Sequence, residues 1–186
     1  MKFRLSLLIV SVFLLWSCDD SPVSTDLTAT GDATVAHSEQ AAQAPAQVTA
    51  LSESQLEKRI SDAEYGGRPL TADLNGANEV PAEGDPDGSG SALITLNQGQ
   101  GEVCFELTVA DIAAPTGAHI HAAPAGVNGG VVIPLLPPPE DGSVSGCVSD
   151  VDKDLIKSIR QSPSDYYVNV HNPDFPGGAV RGQLSK

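Results

Sequence analysis

The chain has 186 residues, with 10 Lys and Arg against 24 Asp and Glu and a formal net charge of -14. That balance excludes a nucleic-acid surface, because neutralising phosphates needs clustered cations that this sequence lacks. The length suits one folded domain of ordinary size and a long tail rather than two cores.

Lys2 and Arg4 precede an apolar run from Leu5 to Trp16, followed by Ser17 and Cys18. A basic start and a short apolar stretch predict a secretory signal over residues 1–17, too short and too early for a spanning helix of the mature protein. The Leu15-Trp16-Ser17-Cys18 ending resembles a bacterial lipobox. That resemblance implies cleavage before Cys18, lipidation of its thiol, and an exported chain held at the membrane of the cell envelope, on the periplasmic face or the cell surface. Residues 18–68 are dominated by Ala, Ser, Thr, Gln and Asp with scarcely an aromatic. They cannot bury enough apolar area to offset chain entropy, and they read as a disordered tether. Within it, Ser52 and Gln55 have capping-box spacing ahead of Leu56 and Ile60, which predicts a short helix.

From Pro69 onward, short alternating runs are separated by Gly, Pro, Asn and Asp. Strands are expected at Leu70–Leu74, Ser91–Leu96, Glu102–Ala110, Ala118–His121, Val131–Pro134, Ser143–Val148, Tyr166–His171 and Ala179–Leu184. Their number and spacing predict an all-β fold for residues 69–186, an antiparallel β-sandwich or small Greek-key barrel. One short helix interrupts it: Val151, Leu155, Ile156 and Ile159 recur at helical intervals, Ser149 stands in capping-box spacing to Asp152, and Pro163 stops the run. The acidic stretch Glu83–Gly90 lacks the spacing of a helix-loop-helix calcium site and reads as a solvated turn.

Setting Cys18 aside leaves Cys104 and Cys147, an even pair in a chain bound for an oxidising compartment. Val103, Phe105, Leu107 and Val109 set the inward phase of one strand and Val144 and Val148 that of another, so both thiols fall on outward faces. A disulfide across neighbouring strands is expected.

The same alternation puts His119 and His121 on one face of their strand, His171 on the outward face of Tyr166–His171, and Arg181 and Gln183 on the outward face of the last strand. Three of the chain's 4 histidines and one arginine therefore share non-core faces of strands that could be neighbours. That arrangement reads either as a metal or anion site or as a polar strand face. In the second case the imidazoles bond loop carbonyls or carboxylates such as Asp174, and Arg181 pairs with Glu79 or another carboxylate.

Taken in order, three groups of residues carry a family likeness. They are Leu74-Asn75-Gly76-Ala77-Asn78-Glu79-Val80-Pro81, then Gly117–His121 with Gly126–Val132, and finally Tyr167–His171 with Gly177–Leu184. The chain from Leu70 to Leu184 resembles the CHRD domain, the module named for chordin. The resemblance implies an exported single-domain protein and does not itself deliver a function; export and the tether lead to the expectation of a binding or structural module at the cell envelope, with an envelope or extracellular protein as a candidate ligand. The cysteine-rich modules associated with growth-factor binding in the animal protein have no counterpart in a chain with 3 cysteines. The His-x-His strand, the third histidine and the arginine are also similar to the copper half of copper/zinc superoxide dismutases. This second likeness implies that His119, His121 and His171 ligate copper or zinc and that Arg181 guides a small anion in a copper-dependent oxidoreductase. No histidine stands between His121 and Val144, so the bridging imidazole and zinc cluster of those enzymes have no equivalent.

Overall fold

The computed structural model describes residues 46–52, 54, 55, 57, 58 and 67–186. The signal segment, Cys18 and His37 lie outside the described residues. Nine strands are numbered in chain order: β1 (Gln47–Ala50), β2 (Leu70–Asn75), β3 (Ser89–Asn97), β4 (Glu102–Ala110), β5 (Gly117–Ala122), β6 (Gly130–Leu135), β7 (Ser143–Ser149), β8 (Tyr166–His171) and β9 (Val180–Gln183). They form one antiparallel sheet in the order β1-β7-β4-β3-β2-β9-β8-β5-β6, curled into a nearly closed barrel. The chain lays down β2, β3 and β4 as a meander, crosses to β5 and β6, and returns to β7 beside β4. It then passes through helix α1 (Lys153–Gln161) to β8 and β9, which fill the gap between β2 and β5.

Period-two alternation decides which side chains face the barrel interior. Leu70, Ala72 and Leu74 of β2, Ile94 of β3, Val103, Phe105 and Leu107 of β4, Ile120 of β5 and Val168 and Val170 of β8 all point inward and are buried. Ile156 and Ile159 of α1, spaced three apart on one helical face, join the same core.

Two expectations are corrected. The predicted tether contains β1, which adds to the free edge of β7 with Gln47 opposite Ser149 and Ala50 opposite Gly146. Four residues gave too short an alternating run to register, and the strand exists because β7 offers an unpaired backbone edge. Helix α1 is capped by Asp152 and not by Ser149. Asp152 Oδ1 accepts from the N–H groups of Asp154 at 2.6 Å and Leu155 at 3.1 Å, whereas Ser149 is used as a residue of β7. The Ser52 spacing does produce its local contact: the Gln55 side-chain oxygen accepts from the Ser52 N–H at 2.9 Å. In the acidic stretch, Asp85 Oδ1 accepts from the Asp87 N–H at 3.3 Å, a hydrogen bond within the turn itself.

Cys104 and Cys147 stand opposite each other on β4 and β7 and form a disulfide. They point outward in phase, yet both are buried, because Leu51 just after β1 packs over them. A disulfide in this position suits an extracytoplasmic, oxidising setting. Among the described residues no helix is long and apolar enough to cross a membrane.

Candidate metal centre

Register alone brings the polar residues of three strands into rows. His119 pairs with Asn169, which pairs with Arg181; His121 pairs with Tyr167, which pairs with Gln183; His171 stands opposite Gly117. Because these residues are two apart along each strand, all seven side-chain-bearing members share the outer face. Gly117 leaves the space beside the imidazoles open: a Cβ there would stand 3.4 Å from His119 Cε1 and 3.8 Å from His171 Cδ2. A register shift between Ile120 and His121 in the pairing with β6 locally breaks the ladder next to His121.

The three predicted histidines converge. One ligand atom from each of His119, His121 and His171 lies within 4.8 Å of the others. His121 Nδ1 is 2.9 Å from the Gly129 carbonyl and His171 Nδ1 is 3.1 Å from the Pro176 carbonyl. A carbonyl can only accept, so both Nδ1 atoms carry protons and both Nε2 atoms carry lone pairs. His119 Nδ1 lies 3.1 Å from His171 Nε2, so His119 donates to that lone pair. The carbonyl contacts fix tautomer and ring orientation, as outer partners do for metal-binding imidazoles. Asp174 is exposed and is not the anchor considered for these rings. Among the described residues the other grouping of ligand-type side chains, Glu102 with Cys104 and Cys147, has its sulfurs tied in the disulfide.

Much of this face is shielded from water. His121, Asn169 and Arg181 are buried, with Arg181 only 1 % exposed. The cover is the loop between β5 and β6. Arg181 Nη2 donates to the carbonyls of Pro124 at 3.1 Å and Val127 at 3.0 Å, and Gln183 Nε2 donates to that of Ala123 at 2.7 Å. Gly129 N–H donates to the Tyr167 hydroxyl at 3.2 Å, which in turn donates to Asn128 Oδ1 at 3.1 Å. Tyr167 is central to the layer: His121 stacks on its ring at 4.8 Å between centroids, and the Arg181 guanidinium lies 3.4 Å from the ring centre. The alternation placed Tyr167 and Asn169 on this face, but neither was singled out, because their partners come from a loop whose path the sequence pattern does not give.

Arg181 makes no bidentate contact with Glu79. The two interact through charge at longer range, and the donors that Arg181 does use go to carbonyls. Among the described residues, the buried side-chain atoms without a hydrogen-bond partner are Glu79 Oε1, His121 Nε2, Asn169 Oδ1 and Arg181 Nη1. All four belong to this one region of the barrel. Buried polar atoms are normally paired, so a local concentration of unpaired ones sets this region apart from the rest of the described barrel.

Burial, and then the neighbouring imidazoles of His171 and His121, push the His119 pKa down to about 4. Burial likewise lowers His171, against an opposing effect of the Pro176 carbonyl. Burial pushes Glu79 up to about 7, although Arg181 and an Asn169 hydrogen bond act the other way. The signs are opposite. The depressed His119 contributes stability above about pH 6.5 that is lost as pH falls through about 4, and the lowered His171 acts in the same direction, whereas the raised carboxyl contributes stability below about pH 4.5 that is lost as pH rises through about 7. Glu79 thus offsets part of the acid loss due to the histidines. In metal-free protein, Glu79→Gln is expected to make stability fall more steeply between pH 6.5 and 4.5, as read by urea unfolding; an unchanged slope would contradict the assignment.

Comparison with curated proteins and with solved structures returns no match. The model of the CHRD domain family matches residues 70–184, a span that runs from the first residue of β2 to just past β9 and contains the three histidines, Tyr167, Arg181 and the disulfide. The chain belongs to the CHRD domain family.

Proposed function

We propose that this CHRD domain is a metal-binding module of the cell envelope, in which His119, His121 and His171 hold one copper or zinc ion. The observation that carries the reading is the Nε2 of His121: a buried lone pair without a partner, held in place by the Gly129 carbonyl and facing the nitrogens of two further imidazoles. Neutral imidazole suits copper and zinc, and three protein donors leave room for water or another ligand. His119 and His171 are half-buried, so the ion has a route to solvent. Binding is favoured over copper-dependent oxidoreductase chemistry because Arg181 lies across the Tyr167 ring from His121 with one nitrogen committed to two loop carbonyls. It is placed to hold the cover down.

The test is metal content after dialysis. Wild type is expected to retain about one equivalent of copper or zinc, and His121→Ala and His171→Ala to retain less than about a tenth of that, with circular dichroism showing the fold preserved. A wild-type protein that retains neither ion would sink the reading.

The lipobox-like sequence and the extracytoplasmic disulfide together support a second element of the proposal, a chain anchored through Cys18 with its ligand-binding domain at the membrane. Radiolabelled palmitate is expected to enter wild type and not Cys18→Ser, which is expected to move from the membrane to the soluble fraction. Equal labelling of both would remove the anchor.

A further inference from the structure

A second site lies away from the histidines. Between Gly67 and Lys186 the cationic side chains are Arg68, Lys153, Lys157, Arg160, Arg181 and Lys186, in a stretch dominated by Asp and Glu. Three of them, Arg68, Arg160 and Lys186, line one cavity of about 300 Å³, with Gly67, Leu70 and Leu96 the other described residues in its wall. Among the described residues no carboxylate side chain lines it. Half of the domain's cations thus gather around one cavity, a local concentration of positive charge on an acidic chain that would attract an anion.

The cavity has two kinds of wall. Leu70 and Leu96 are core residues, 2 % and 7 % exposed, so they close the floor of the cavity, and the methylene stems of Arg68, Arg160 and Lys186 supply the rest of its apolar wall. Arg160 is partly buried and held in place by its Nη2, which donates to the Leu96 carbonyl at 2.8 Å. A guanidinium has five N–H donors in a fixed fork, so the remainder are available to a ligand oxygen. Arg68 is exposed at the rim and can close on a bound anion.

We infer that this cavity binds a small amphipathic carboxylate, its head between the guanidinium groups of Arg68 and Arg160 and its aliphatic body along the methylene stems of the lining cations, over the floor formed by Leu70 and Leu96. The volume stands at the lower end of small-molecule sites, which fits a medium-length aliphatic acid and excludes a large cofactor. Inorganic phosphate has the charge without the apolar body, and a neutral alcohol of equal length has the body without the charge. Neither satisfies both walls.

The experiment is calorimetric titration of the purified chain with octanoate, butyrate, octanol and inorganic phosphate. Octanoate is expected to bind saturably at one site, with octanol and phosphate at least about tenfold weaker, reflecting the charge-assisted and apolar contributions each lacks. Arg68→Gln and Arg160→Gln are each expected to weaken octanoate about tenfold or more. Arg68 is exposed and lies outside every strand, so its variant keeps the fold even if loss of the Arg160 contact to β3 does not. Absence of saturation by octanoate at millimolar concentration would overturn the inference. So would equal affinity for octanol, or undiminished binding in Arg68→Gln.

Discussion

Arg181→Met is expected to destabilise the domain by about 3–5 kcal/mol at pH 8, the loss typical of breaking a buried charge interaction from one side. The side chain of Arg181 is almost fully buried and holds two carbonyls of the β5–β6 loop while its guanidinium covers Tyr167. Methionine replaces much of the volume and none of the donors. The Pro124 and Val127 carbonyls are then left to find other partners, and the carboxyl of Glu79 loses the cation that opposes its burial. Without that cation the Glu79 pKa rises further, so the group stays protonated over a wider range. The penalty is therefore expected to grow with pH: smaller at pH 5, where Glu79 is protonated in wild type also, and larger at pH 8, where wild type holds it ionised beside Arg181. Urea unfolding at the two pH values measures this directly. A loss below about 1 kcal/mol at both would mean that the loop and the carboxylate do not depend on this residue.

Removing the disulfide is expected to cost about as much. Cys104 and Cys147 close a loop with a sequence separation of 43, for which the chain-entropy account gives about 4 kcal/mol. The backbone pairing of β4 with β7 does not need the sulfurs, so Cys104→Ala/Cys147→Ala is expected to keep the fold and shift the urea midpoint downward. Against a typical total stability of about 5–15 kcal/mol, that is a large fraction. A shift equivalent to less than about 1 kcal/mol would show that the reduced unfolded chain already keeps these strands together.

The barrel strands were legible because nearly all of them alternate cleanly. Glu102–Ala110 and Tyr166–His171 were read with their observed limits, and most others to within one or two residues. The outward phase of His119, His121, His171, Arg181 and both cysteines was legible for the same reason. What alternation cannot say is whether an outward face meets water. The histidine face is roofed by the β5–β6 loop and the cysteines by Leu51, and both covers depend on where loops travel rather than on any periodicity. That is why neither alternative for Arg181, a carboxylate partner or a small anion, anticipates the loop carbonyls that it binds. It is also why Tyr167, which stacks between His121 and Arg181, drew no notice: an aromatic in a valine-rich strand looks like packing until its neighbours are known. Strand β1 escaped for a different reason. It is held by what it pairs with, and its own composition is that of its surroundings.

The placement of β1 has a kinetic corollary. Leu51 seals the sulfur pair against solvent, and β1 is a four-residue ribbon at the margin of the sheet. A reductant must wait for that ribbon to peel away, so the rate at which dithiothreitol severs the bond serves as a clock for fraying at the amino-terminal border of the barrel.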